Sequence, residues 1–215
     1  MALTKYNYNS FDVTPVASNA FAFNSTPNGL TTAASGAMNL ITTNTITSGV
    51  SSSDFTSSID STYDVYVFKF INIHPATNNV KWTFQSDTGT NTSYGQTITS
   101  TDFISQHSED DSATEFGYAS ANDQAQGTAF QPIGQLVGNG NDESVSGTLH
   151  VFDPSDTTFV KHFIANTNVY RQDDYTREHF TAGYFNTTTA LTRFRFKFDS
   201  GNIDSGVIKM YGLAK

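Results

Sequence analysis

Cysteine is absent from this 215-residue chain, which excludes disulfide staples, thiolate nucleophiles and sulfur-ligated zinc. Charge is scarce as well: 14% of residues are charged, and the balance of eleven Lys and Arg against twenty Asp and Glu gives a net charge of -9. A nucleic-acid surface needs a basic stripe to displace counterions, so no nucleic-acid partner is expected. Nowhere do about 18 apolar residues run together, so no membrane insertion is expected, and Met1 to Tyr8 has no basic segment leading into an apolar one, so no secretory leader is expected either.

The motifs of catalysis are missing too. There is no G-x-S-x-G turn, and the histidines, His74, His107, His150, His162 and His179, never fall at H-x-H or H-x-x-x-H spacing. His150 and His162 are placed to meet across paired strands, but a lone strand histidine is more often a packed residue than a ligand. Acids gather in apparent loops: Glu109, Asp110, Asp111 and Glu115 in one, Asp142 and Glu143 beside Asn139 in another. Neither carries the D-x-[DN]-x-[DN]-G calcium pattern, and solvated loop charge is the simpler account of both. No catalytic residue, cofactor or metal ligand is assigned.

What the chain does have is aromatics, 13% of residues, set in patterns of period two. In Tyr63 to Pro75, Tyr66, Phe68 and Phe70 point one way and Val65, Val67, Ile71 and Ile73 the other, which predicts a central strand packed on both faces. Val80, Trp82 and Phe84 alternate with Lys81, Thr83 and Gln85, predicting a second strand hairpinned to the first, with the polar set outward. Ser108 to Asp123 reads as a long acidic loop. Val145 to Phe152, Phe159 to Ala165, Leu191 to Phe198 and Val207 to Leu213 read as further strands, and no helical period survives beyond about a turn. The expected fold is all-β: an antiparallel β-sandwich of jelly-roll type, residues 59–215, preceded by an extended N-terminal arm, residues 1–58.

The arm is polar and poor in charge, yet Tyr6, Tyr8, Phe11, Phe21 and Phe23 give it apolar anchors. An isolated segment of that composition cannot offset its ordering entropy, so these residues are candidates for a subunit interface. Arg193, Arg195 and Lys197 form a second candidate, since three cations on one strand face of an acidic chain invite acidic side chains of a neighbour. An ordinary solvated strand face has the same pattern.

The segment Ile59 to Phe84, with Tyr-Asp-Val-Tyr-Val-Phe-Lys-Phe-Ile-Asn-Ile-His-Pro-Ala-Thr leading into Lys-Trp-Thr-Phe-Gln, resembles the opening strands of jelly-roll domains in virion proteins of tailed bacteriophages. Leu191 to Lys215, closing on Tyr-Gly-Leu, resembles their final hairpin. The two segments cover about a quarter of the chain. The resemblance implies a non-enzymatic structural subunit on the outside of a particle, in a capsid decoration, tail or fibre, assembled in the host cytoplasm as a homotrimer with other virion proteins as partners. A receptor-binding protein on the same fold is the alternative, with Tyr94, Tyr118 or Tyr184 stacking on a host surface glycan. A polysaccharide-cleaving enzyme is the third class.

Overall fold

A computed structural model describes residues 19–23, 30–34 and 37–213, the first two stretches by backbone alone. The chain is all-β, with 61% in strands and no helix among the described residues. Strands β1 (Asn19–Phe23) and β2 (Leu30–Ala34) form an antiparallel hairpin within residues 1–39, and residues 40–213 form a separate compact unit.

That unit is a sandwich of two antiparallel sheets. The larger sheet orders β3 (Met38–Ile46), β15 (Ile203–Leu213), β5 (Val65–Pro75), β11 (Val145–Phe152), β12 (Lys161–Tyr170), β13 (Tyr175–Phe185), β7 (Ile98–Ser108) and β8 (Thr114–Tyr118), with β9 (Ala125–Gly127) also paired to β7. The smaller sheet orders β10 (Gln131–Val137), β6 (Val80–Thr88), β14 (Leu191–Phe198) and β4 (Ser53–Phe55).

Alternating aromatics make the core between them. Phe68 and Phe70 from β5 meet Phe194, Phe196 and Trp82 from the smaller sheet, with ring centroids 5.0 to 5.6 Å apart, mostly tilted or edge-on. Phe84 meets Phe163 of β12 edge to face at 5.1 Å. The aromatics expected in the core, Phe68, Phe70, Trp82, Phe194, Phe196 and Phe198, are all buried there.

Several expectations are corrected. Strands β5 and β6 are not a hairpin but lie in opposite sheets, because the connection after Pro75 carries the chain across the core. Ile71 and Ile73 do not share a face. Asn72 sits in the left-handed region at φ +49°, the ladder to β15 shifts register beside Gly206, and the bulge turns Ile73 into the core while Ile71 stays out. Thr83 and Gln85 face away from the core but are buried, since loops cross that face and Gln85 Nε2 donates to the carbonyls of Gln96, Thr128 and Ala129. The acidic stretch after Ser108 is a hairpin that adds β8 to the edge of the larger sheet. The body also starts earlier than residue 59: β3 and β4 are strands of the two sheets.

Candidate functional site

The two sheets have different outer faces. On β12 the residues Phe163, Ala165, Thr167 and Val169 are buried inward, which places His162, Ile164 and Asn166 on the outside; the same parity holds on the neighbouring strands. Strand register then sorts the outward residues of the larger sheet into rows. One row runs Tyr118, Phe103, Phe180, Asn166, Thr148, Lys69, Lys209 from β8 to β15. The next runs Thr101, Ala182, Ile164, His150, Val67, Tyr211. A third sets Thr99, Tyr184 and His162 in line, with Phe152 and Val65 paired on the strands beyond.

This face carries exposed apolar side chains, around a Val67 that its neighbours bury. Nine large hydrophobic side chains are exposed among the described residues, and eight of them stand on strands of the larger sheet; only Phe159, before β12, does not. Phe116 is 76% exposed and packs edge-on against Phe103, which stacks on Phe180 at 4.9 Å and 13°. Beside them, small Ala182 between Phe180 and Tyr184 leaves a shallow depression of about 530 Å³, walled by Ile164, Phe152, His162 and Thr101. The three rows contain no carboxylate. Glu178 borders them and is held by Asn166 Nδ2 at 3.0 Å. Burial, and then Lys69, depress the pKa of His150 below its ordinary value.

The outer face of the smaller sheet is polar, and most of its charged groups have partners in the same chain. Arg195 forms a bidentate pair with Asp54 (2.8 and 2.5 Å) and lies over the Tyr94 ring at 4.2 Å; Lys197 lies over Phe130 at 4.7 Å. Asp87 accepts from Thr88 N, Gln96 Nε2, Tyr94 N and Ser93 Oγ. Burial pushes its pKa up, but these donors outweigh it and the net shift is downward. Tyr94, expected as an exposed sugar platform, is buried beneath Arg195. Two of the three cations expected to reach a neighbour, Arg195 and Lys197, thus have partners inside the chain, while Arg193 leaves Nε buried and unpaired.

The other expected residues scatter. Tyr6, Tyr8 and Phe11 lie outside the described residues, and Phe21 and Phe23 fall on β1, opposite Thr32 and Leu30. Strand β11 puts Ile164, not His162, opposite His150. In the first acidic loop each group has its own partner: Asp111 with His107 at 3.0 Å, Asp110 with Ser112 N at 3.0 Å, Glu115 with Gln106 at 2.7 Å, and Glu109 with Tyr170, whose phenol is raised to about 12 by that bond. In the second, Glu143 accepts from Gly140 N. No cluster of three or more His, Asp or Glu side chains among the described residues is arranged to hold a metal ion.

Sequence reading also missed a buried acid and base. His179 Nδ1 lies 3.1 Å from Asp102 Oδ2, and Asp102 accepts from Thr181 Oγ1 at 3.0 Å and Asn122 Nδ2 at 2.8 Å. Strands β7 and β13 face the pair inward, where both side chains are 0% exposed, so in this conformation neither reaches a substrate. Their separation of 77 residues leaves no sequence signal. Its evident work is to tie β7, β13 and the turn at Asn122 together. Comparisons with protein-family models, with curated proteins and with solved structures find nothing that matches this chain.

Proposed function

We propose that the chain is a non-enzymatic structural subunit on the outside of a tailed-phage particle, a jelly-roll-type sandwich that binds and builds through its larger sheet. The observation that carries the reading is the outer face just described: an exposed apolar surface concentrated on one sheet marks a protein contact, whereas exposed hydrophobics scattered singly would mean nothing. The resemblance at Ile59 to Phe84 and Leu191 to Lys215 supplies the virion context. Decoration of purified particles by an antibody raised against the folded chain is the expected outcome. Particles free of label, from a host in which the chain is made, would remove the virion reading.

One observation favours the receptor alternative. Tyr118 is 57% exposed next to Phe116, with its hydroxyl bound to Asp123 at 2.6 Å, and an exposed ring beside hydrogen-bonding groups is what a sugar ring stacks on. Retention of host capsule or lipopolysaccharide glycan by the protein, lost on Tyr118→Ala, would establish it. Glycan shortened during that incubation would instead make the chain an enzyme.

A further inference from the structure

We propose that the outer face of the larger sheet joins a second copy of this chain about a two-fold axis running along the strands between β11 and β12. The inference deepens the structural-subunit reading and rests on it. Such an axis lays β11 over β12, β5 over β13 and β15 over β7, and the rows then meet complementary residues. Phe103 faces Lys209 of the second copy, and Phe180 faces Lys69. Asn166 meets Thr148, Ile164 meets His150, and His162 meets Phe152. The rings of Phe103 and Phe180 are stacked on each other and present their edges outward, where the aliphatic stems of the facing lysines cover them, Lys69 lying over Tyr211 of its own chain, and the polar pair meets in the middle.

Charge argues for the same occupant. A chain of net charge -9 repels its own copies over most approaches, but these rows bring no carboxylate to the contact. Glu178, at their border on β13, lies opposite the strand that carries Lys69. The complementary halves, aromatic on β7 and β13 and basic on β5 and β15, belong to one face. That is the property of an isologous contact; a three-fold contact needs two different patches. The proposed contact is thus two-fold, where the resemblance implies a three-fold assembly.

Area agrees. Six strands about 4.8 Å apart, each with three outward residues, make a face of roughly 500 Å² per copy. Two such faces reach the roughly 1,000 Å² in total that a specific interface needs.

The test is sedimentation equilibrium of the full chain at tens of micromolar. The expected mass is twice 23.4 kDa. Phe103→Lys and Lys209→Glu should each weaken association at least tenfold, and the double variant should recover it. Within one chain the two positions stand about 24 Å apart across five strand spacings, so recovery can act only between copies. Ile164→Lys, at an exposed position that leaves the core intact, should give monomers with an unchanged far-ultraviolet circular dichroism spectrum. A monomeric or trimeric wild type, single variants of unchanged mass, or a double variant that fails to recover would each overturn the proposal. A monomer that still labels particles would overturn this inference and leave the virion reading; a dimer absent from particles would do the reverse.

Discussion

The outer faces of the two sheets are built from strands of equal regularity and come to opposite ends. On the smaller sheet Arg195, Lys197, Asp87 and Gln85 are polar, and loops fold back over them until nearly every charge has a partner in the same chain. On the larger sheet Phe116, Phe103, Ile164 and Phe152 stand exposed with no layer of described residues above them. Polarity alone would have assigned the functions in reverse, with the basic strand as the contact and the apolar strands as core. Charged residues near a surface are often busy at home; an unpaired apolar face is the better sign of a partner.

Phe196→Ala should break both faces together, because that ring lies between the sheets against Phe68, Phe70 and Trp82. The expected loss is about 3–5 kcal/mol by urea denaturation; a loss under about 1 kcal/mol would mean the sheets do not pack as described. On the smaller sheet's outer face, Asp87→Asn sets an amide donor against donors and should cost about 2 kcal/mol. Asp54→Ala, which breaks a half-exposed bidentate pair with Arg195, should cost about 1 kcal/mol. On the larger sheet, Phe116→Ser should change the stability of the isolated chain by less than about 0.5 kcal/mol. A larger cost at Phe116 than at Asp87 would erase the distinction between a finished face and a bare one.

Much of the architecture is legible in the sequence. The period-two runs at Val65 to Phe70 and Leu191 to Phe198 announce strands and identify their core aromatics, because alternation is a local property. Sheet membership is not local. Nothing in Pro75 to Asn79 says whether the chain turns back beside β5 or crosses to the other sheet, and the Asn72 bulge that redirects Ile73 depends on register with β15. The apolar face escaped for a related reason. Phe103 comes from a strand far along the chain from the β12–β13 hairpin that carries Ile164 and Phe180, and only register places the three side by side. Arg195 misled in the opposite sense, since Asp54 and Tyr94, which occupy it, are far away along the chain.

Acid should sharpen the contrast by its pH window. The depressed pKa of His150 means that below its ordinary value of 6.5 the unfolded chain takes up a proton the folded chain resists, so this larger-sheet residue lowers stability as pH falls from 6.5. Asp87 is depressed in the other chemical sense. Its stabilisation is complete above the ordinary carboxylate value of 3.8 and is lost only as pH falls through its lower folded pKa. His150→Gln should therefore flatten the stability profile below pH 6.5 without changing the acid limb below 3.8, and Asp87→Asn should do the converse. Identical profiles for His150→Gln and wild type would contradict the assignment.

The proposed contact covers the larger sheet's outer face in the working state and leaves the smaller sheet's outer face unchanged. Hydroxyl-radical footprinting read by mass spectrometry, on the full chain at high dilution and again at tens of micromolar, tests it most directly. Oxidation of Phe103, Phe116 and Ile164 should fall several-fold on association, while that of Phe130 and Tyr94, under the cations of β14, should stay constant. Equal labelling of Phe103, Phe116 and Ile164 in both conditions, or protection appearing at Phe130 instead, would contradict it.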